Sequence, residues 1–166
     1  MSSIASATSR KTPRILLALL AVAVFAGDQV TKMAVERHIS EHTVVTVIPG
    51  FFNLIKSANT GAAFGLFDQF SASWKVPVLV GVSSVLLITL VGMIWRARRL
   101  GWLSSLGFAL ILGGALSNLF DRVRVGRVVD FLDVYYRSYH WATFNLADSA
   151  IVVGAGFLIF QIIFSD

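Results

Sequence analysis

Two short stretches, VVDF at residues 128–131 and FNLADS at residues 144–149, place the carboxylates Asp130 and Asp148 at one edge of a very apolar chain. Asp148 is followed directly by the hydrophobic run of residues 149–164. A charged side chain beside such a run is costly in a membrane, and it is usually kept where it pairs with another group or serves a function. We therefore interpret Asp130 and Asp148 as a catalytic pair at a membrane surface, with the rest of the chain as its scaffold.

The composition of the chain is that of an integral membrane protein. Of its 166 residues, 56% are hydrophobic and 14% are charged, whereas soluble domains are about 45–50% apolar and about 25% charged. The net charge of +5 fits basic residues that flank apolar segments and meet anionic head groups, so we expect membrane lipid and no nucleic acid as a partner. The chain has no cysteine, which excludes disulfides, thiolate metal sites and a cysteine nucleophile.

A helix needs about 20 apolar residues to cross a bilayer, and this length predicts four spans. They are residues 14–35, 76–95, 100–120 and 141–164. The polar residues 1–12 are expected to form a disordered tail. The first apolar segment also resembles the core of a signal peptide, with Ala21-Val22-Ala23 as a cleavage site, but we favour an uncleaved span. The predicted fold class is a mainly α membrane protein, a single domain with four transmembrane helices.

The connection between the first two spans has the pattern of a small β-sheet within residues 40–70. Residues 43–48 and 51–57 are rich in β-branched and aromatic side chains, and Pro49-Gly50 between them is a turn signal. The stretch NTGAAFG at residues 59–65 then supplies small residues that let a backbone approach a ligand closely.

The stretch HISEH at residues 38–42 has the H-x-x-E-H spacing of some zinc peptidases. Two imidazoles share one metal from this spacing only if a stable helix turns both to the same side. The β-branched run of residues 43–48 follows at once, so we favour a solvated loop and predict no metal site. Residues 121–140, before the last span, are likewise interpreted as a polar loop.

With four spans, both chain termini lie on one side of the membrane, and the unusual polar residues gather at the opposite end of the bundle. These residues are Asp28, Lys32, Asn59, Asn118, Arg122, Asp130, Asn145 and Asp148. The count of basic residues leaves the orientation open under the positive-inside rule. The compact cluster of Arg96, Arg98 and Arg99 favours termini in the cytoplasm.

Two carboxylates held close together cannot both ionise easily, and they tend to share one proton. The ionised group can take a proton from water while the neutral group donates one to a substrate carbonyl. This chemistry hydrolyses a peptide bond without a covalent intermediate. A structural role stays open, in which Asp130 and Asp148 are ion-pair partners of Arg122 or Lys32. Asp133 is a further candidate for the pair.

Five blocks of the chain carry a resemblance to a known family. They are DQVTK at residues 28–32, NTGAAFG at 59–65, GGALSNLFDR at 113–122, VDF at 129–131 and FNLADS at 144–149. In these blocks, and in their order, the chain resembles the bacterial lipoprotein signal peptidases, or signal peptidase II. One departure is Ser117, where the family usually has glycine, and we expect slightly looser packing there.

The resemblance implies an aspartyl endopeptidase of the bacterial inner membrane, with four transmembrane helices and a small extracytoplasmic β-sheet cradle. Both termini would be cytoplasmic and the active site would lie at the periplasmic face. Its substrates would be prolipoproteins whose cysteine carries diacylglycerol, cut just before that cysteine to release the signal peptide.

The resemblance also assigns roles to individual residues. Asp130 and Asp148 match the catalytic pair of the family. The residues that match its substrate-binding and site-ordering positions are Asn59, Gly61, Asn118, Arg122, Asn145, Asp28 and Lys32. No metal or organic cofactor is implied, and we expect a monomer.

Three other functions remain compatible with the residue pattern. A transporter or proton-coupled channel also uses Asp, Lys, Arg and Asn within the membrane, although here these residues cluster at one end. A structural membrane scaffold would use the small-x-x-x-small spacings of residues 113–117 and 150–154. A zinc peptidase would use His38 and His42.

Overall fold

The computed structural model describes residues 14–61, 74–96 and 101–164. Some sequence predictions lie outside these described residues. They are the tail of residues 1–12, the part of the predicted sheet region and of the small-residue loop beyond residue 61, and the Arg98 and Arg99 members of the basic cluster.

Within the described residues, four long helices make up the membrane part of the fold: α1 Arg14–His38, α2 Lys75–Arg96, α3 Trp102–Val125 and α4 Leu146–Phe164. Each is long and apolar enough to cross a membrane. Large apolar side chains such as Leu19, Ile88 and Ile162 are exposed on their outer surfaces. A surface of this kind is expected where helices face lipid tails rather than water.

Glycines bring α3 into close contact with the helices on either side of it. A Cβ on Gly113 would lie 2.5 Å from the backbone oxygen of Ala21 in α1. Gly114 packs in the same way on Ala147 in α4. Because a Cβ has no room at these points, the helix backbones approach more closely than larger residues would allow.

The part of the chain that the structure describes also contains a four-stranded antiparallel sheet, in the order β1 Val45–Ile48, β2 Phe52–Asn59, β3 Val128–Tyr136 and β4 Tyr139–His140. β1 and β2 connect α1 to α2, while β3 and β4 connect α3 to α4, so all four strands lie at the same end of the bundle. The predicted fold class, four membrane-spanning helices with a small β-sheet, is confirmed.

The segment of residues 121–140 is not the polar loop that the sequence predicts, and that prediction is wrong. α3 continues to Val125. It ends where Gly126 adopts a left-handed conformation, with φ of 73°, and donates its N–H to the carbonyl oxygen of Arg122 at 3.1 Å. Glycine takes this conformation without the steric cost of a Cβ, and the chain turns directly into β3.

A small hydrophobic cluster holds the sheet against the end of α1. Val35 and Ile39, at and just beyond that end, pack against Val129 and Phe131 of β3. β3 contains three valines, a phenylalanine and two tyrosines, which favour strands, and its only charged residues are two aspartates. Burial of its side chains against α1 adds packing that stabilises the strand. The cluster also fixes Asp130, which lies between the two β3 residues.

α4 begins at Leu146 rather than at residue 141, where the fourth span is predicted to start. The residues before it pair with the sheet instead. The N–H of Leu132 donates to the carbonyl oxygen of Phe144 at 2.8 Å, and the N–H of Phe144 donates to the carbonyl oxygen of Leu132 at 3.2 Å. This pairing leads the chain from the sheet directly into the first turn of α4.

Candidate active site

Asp130 projects from β3 and is only 2% exposed. Its carboxylate accepts hydrogen bonds from the side-chain amides of Asn59 at 2.8 Å and Asn145 at 2.7 Å. The pKa of Asp130 is raised to about 6, mainly by burial; the charge of Asp148 acts in the same direction, and the two amide bonds oppose it. This carboxyl group can therefore hold or release a proton at mildly acidic pH.

Asp148 lies in the first turn of α4, where it forms a reciprocal capping pair with Asn145. The N–H of Asp148 donates to the side-chain oxygen of Asn145 at 2.9 Å, and the N–H of Asn145 donates to the Asp148 carboxylate at 3.2 Å. The other carboxylate oxygen accepts the side-chain amide of Asn118 at 2.8 Å. Such a pair satisfies two backbone donors that a helix leaves unbonded at its start, and the helix dipole favours an anion there.

Asn145 contacts both acidic side chains at once. Its amide nitrogen donates to Asp130, and its backbone N–H donates to Asp148. The residue is completely buried. Two aspartates from different elements, one in the sheet and one in a helix, are therefore brought together through a single residue.

Asn59, Gly61 and Arg122 form the wall on one side of the pair. The side-chain oxygen of Asn59 accepts the N–H of Gly61 at 2.9 Å, so Asn59 orders this turn as well as binding Asp130. The Arg122 guanidinium donates to the carbonyl oxygens of Gly61 at 3.1 Å and Asn118 at 3.2 Å. Its Nε is buried and has no hydrogen-bond partner in the part of the chain that the structure describes.

Lys32 uses its three ammonium donors on three different side chains. Its Nζ lies 2.6 Å from Asp28, 2.6 Å from Asp121 and 2.9 Å from Asn118. Lys32 and Asp28 are both buried, so their charges are removed from solvent and compensated within the cluster. Asn118 belongs to both groups, because its oxygen binds Lys32 and its nitrogen binds Asp148.

Asp28 connects α1 to the start of α4. One of its carboxylate oxygens accepts the N–H of Ala147 at 2.9 Å. The other accepts hydrogen bonds from Lys32 and from the hydroxyl of Ser117. Because Ala147 directly precedes Asp148, the position of Asp28 controls the position of the turn that carries Asp148.

Three further residues, which were not predicted to belong to the site, complete this cluster: Gln29, Ser117 and Asp121. The Gln29 amide donates to the Ser117 hydroxyl at 2.9 Å and to the Asp121 carboxylate at 2.7 Å. Ser117 is completely buried and bonded on both sides, and the looser packing expected there relative to glycine stays a prediction. A signal for two of them was present, because Gln29 and Asp121 directly adjoin the site residues Asp28 and Arg122.

Other sequence candidates lie apart from this cluster. Asp133 is an odd number of residues along β3 from Asp130 and so faces the other side of the strand, where it binds Asn53 at 2.9 Å and His140 at 2.8 Å. His38 is the last residue of α1, so HISEH does not lie on one helix. Within the described residues, no three His, Asp or Glu side chains are arranged as metal ligands.

The structural alternative, ion pairing of the two aspartates with a nearby basic residue, is not what the described residues show. Lys32 pairs with Asp28 and Asp121 instead. Asp130 and Asp148 are held by asparagine side-chain and backbone amides. Among the described residues both carboxylates accept hydrogen bonds from neutral donors, while the charges of Lys32 and Arg122 act on them without forming an ion pair.

A family model described as signal peptidase (SPase) II matches residues 20–164 of the chain, a range that contains every residue of this cluster. The chain belongs to the signal peptidase II family. The resemblance recognised in the five sequence blocks is thereby confirmed.

Individual members of the signal peptidase II family agree with this assignment. The lipoprotein signal peptidase of Solibacter usitatus is 46% identical over 144 residues, which cover 87% of this chain and 88% of that protein. The lipoprotein signal peptidase of Syntrophotalea carbinolica is 44% identical over 146 residues, covering 88% of this chain and 89% of that protein.

Two solved structures described as bacterial membrane enzymes are similar to this signal peptidase II chain over nearly its whole length. The match to one has a TM-score of 0.83 at 31% identity and covers 93% of this chain and 92% of the other chain. The match to the second has a TM-score of 0.80 at 30% identity and covers 95% of this chain and 99% of the other chain.

Proposed function

We propose that this chain is a membrane-embedded aspartyl endopeptidase that removes the signal peptide from diacylglyceryl-modified prolipoproteins, cutting just before the lipidated cysteine. The observation that carries the proposal is the binding of both Asp130 and Asp148 by Asn145, which holds two acidic groups side by side. Family membership supports the peptidase activity. Relatives named lipoprotein signal peptidase support the class of substrate.

In the proposed reaction, a water molecule lies between the carboxyl groups of Asp130 and Asp148. The ionised carboxylate takes a proton from this water as the water oxygen attacks the carbonyl carbon of the peptide bond to be cut. The protonated carboxyl group donates its proton to the carbonyl oxygen of the same bond. The tetrahedral intermediate then collapses: the carboxyl group that took the water proton gives it to the peptide nitrogen, the C–N bond breaks, and the other carboxylate takes back a proton from a hydroxyl group of the intermediate as the carbonyl re-forms. The raised pKa of Asp130 supports the scheme, since one group of the pair has to hold a proton.

The remaining proposed site residues order the reacting groups and the substrate, and they are Asn59, Gly61, Asn118, Arg122, Asn145, Asp28 and Lys32. Gly61 has no side chain and Arg122 holds its carbonyl, so a substrate backbone can pass close to it as a strand added to the sheet. Asp28 and Lys32 are too buried to reach a substrate, and they hold the helices that carry Asp148 and Asn118.

The location of the site suits a substrate that is anchored by lipid. Its residues come from α1, α3, α4 and the sheet at one end of the bundle. A prolipoprotein can present its cleavage point there while its acyl chains stay in the bilayer. We assign this end to the periplasmic face of the bacterial inner membrane, with both termini cytoplasmic, and the protein acts as a monomer.

Cleavage of a purified, diacylglyceryl-modified prolipoprotein tests the activity. We expect release of the signal peptide with and without a chelator. Asp130→Asn and Asp148→Asn should each slow cleavage by about 10²–10⁴-fold, the usual contribution of a general acid or base. Asp133→Asn is the matched control, because it removes another buried aspartate from β3 and should retain cleavage.

Melting temperatures in detergent should first establish that the variants are folded. Undiminished cleavage by Asp130→Asn or Asp148→Asn would remove that residue from the mechanism. Cleavage that disappears with chelator would instead favour a metal-dependent peptidase.

A further inference from the structure

Ser117 lies on the face of α3 that packs against α1. Its side chain is completely buried. Its hydroxyl donates to the Asp28 carboxylate at 2.7 Å and accepts the Gln29 amide at 2.9 Å. One small hydroxyl group therefore links an acceptor and a donor from neighbouring residues of α1.

The bond to Asp28 connects Ser117 to the first turn of α4. The Asp28 oxygen that does not bind Ser117 accepts the N–H of Ala147 at 2.9 Å. A carboxylate is planar, so a hydrogen bond that fixes one oxygen also fixes the direction of the other. The orientation of Asp28 therefore influences where Ala147, and with it Asp148, is held.

Loss of the hydroxyl would leave both of its partners short of one hydrogen bond. Asp28 would keep Lys32 on the same oxygen, but an ammonium group on a flexible stem restricts direction less than a hydroxyl held by the backbone. The Gln29 amide would keep only Asp121 at 2.7 Å. A buried polar group that loses its partner is costly unless another partner, such as water, replaces it.

We propose that Ser117 is a positioning residue and that its hydroxyl occupies a hydration site, a point that water fills when both the hydroxyl and its Cβ are removed. With glycine at this position, the vacated space would offer a water molecule one acceptor on Asp28 and one donor on Gln29. With alanine, the remaining methyl group would stay beside both partners and obstruct the water. The kinetic consequence rests on the proposed peptidase function, because the residue positioned at the end of this chain of contacts is Asp148.

The hydration site predicts a lower activity for Ser117→Ala than for Ser117→Gly without a matching loss of stability. Alanine is preferred over glycine within a helix, but it leaves Asp28 and Gln29 each without a partner, so the two variants should melt within a few degrees of each other in detergent. Ser117→Gly should keep kcat within about threefold of the unmodified protein, whereas Ser117→Ala should lose about tenfold in kcat. KM should not change in either variant, because Ser117 is too buried to touch substrate. A residue with a purely structural role would give the two variants similar kcat values when their melting temperatures are similar.

Ser105 provides matched controls, because it is another buried serine of α3. Ser105→Ala and Ser105→Gly should follow helix propensity in melting temperature and should leave kcat unchanged. Equal kcat values for the two Ser117 variants, or the lower value for Ser117→Gly, would overturn the proposal.

A crystal structure of Ser117→Gly that shows ordered water tests the hydration site independently of activity. We expect a water molecule within hydrogen-bonding distance of the Asp28 carboxylate and the Gln29 amide, and none at that point in Ser117→Ala. A Ser117→Gly structure without this water contradicts the hydration site even if the unmodified protein cleaves prolipoprotein. Failure of the unmodified protein to cleave contradicts the proposed function instead, and the structure still decides the hydration site.

Discussion

Asn145 shows how much of the site depends on one side chain. Its amide nitrogen binds Asp130, its amide oxygen caps α4, and its backbone N–H binds Asp148. An asparagine can do this because its side chain both donates and accepts hydrogen bonds, whereas an ionised aspartate only accepts. Helix capping and assembly of the aspartate pair are therefore combined in one residue.

The buried carboxylate of Asp130 should make stability depend on pH. Its pKa is about 6 in the folded protein against an ordinary 3.8, so the folded state binds more protons than the unfolded state between these values. The free energy of unfolding should therefore fall as pH rises through this window. Ionisation of buried Asp130 should lower it by about 3 kcal/mol above about pH 6 and should not affect it below about pH 3.8.

Asp130→Asn removes this charge and tests the expectation. The melting temperature of the variant, relative to the unmodified protein, should be higher at about pH 8 than at about pH 4. Part of the gain should be offset at every pH, because Asn59 and Asn145 both donate to this side chain and one of them must find a new acceptor. A difference in melting temperature between the two proteins that stays constant from about pH 4 to about pH 8 would contradict a buried, ionisable Asp130.

At the scale of elements, the contact between α3 and α4 has two tight points. One is beside the site, where Gly114 packs on Ala147 and an added Cβ would also lie 3.0 Å from the Ile151 side chain. The other lies further from the site, where a Cβ on Gly107 or Gly154 would come within 2.7 Å of the other's backbone oxygen. The two points allow the effect of helix packing on stability to be separated from its effect on the site.

Gly114→Ala and Gly107→Ala should each destabilise the helix pair by about 1–3 kcal/mol, because the added methyl group meets backbone that cannot move aside. Gly114→Ala should also reduce cleavage strongly, since it displaces the turn that carries Asp148, while Gly107→Ala should reduce it much less. Gly156→Ala in α4 is the matched control, because its Cβ would meet nothing within 4 Å. Melting temperature and cleavage rate check each variant, and equal loss of cleavage at positions 107 and 114 would contradict this separation.

At the scale of the whole molecule, four spans place the sheet at one end of the bundle and the connection between α2 and α3 at the other. The natural chain has no cysteine, so a single introduced cysteine reports the side on which it lies. Ser40 and Ser138 are exposed beside the sheet, and Gly101 is exposed at the start of α3.

In spheroplasts, a maleimide that cannot cross membranes should label Ser40→Cys and Ser138→Cys. Gly101→Cys should react only after the membrane is permeabilised. The cysteine-free protein is the control and should take up no label. Labelling of all three positions from the same side would contradict the four-span topology, and the inverse pattern would contradict a periplasmic site.

Much of the architecture was predictable because hydropathy and helix length are local properties of the chain. They indicated four membrane-spanning helices, and the β-branched and aromatic residues around the Pro49-Gly50 turn indicated a sheet beginning with β1 and β2. β3 was missed although six of its nine residues are valine, phenylalanine or tyrosine, which favour strands, because the arginines on either side made residues 121–140 resemble one polar loop. Its contact with Val35 and Ile39 at the end of α1 could not be predicted. That contact joins parts of the chain that no local pattern connects.

The candidate site divides in the same way. Hydropathy and the order of the spans were enough to predict which residue types lie at the polar end of the bundle, and they pointed to both Asp130 and Asp148. The hydrogen bonds between these residues could be known only from the folded chain: Asn145 binds both aspartates, and Gln29 binds Ser117. Hydrogen bonds require atoms to meet within about 3 Å, and such meetings are set by the packing of helices on one another and on the sheet.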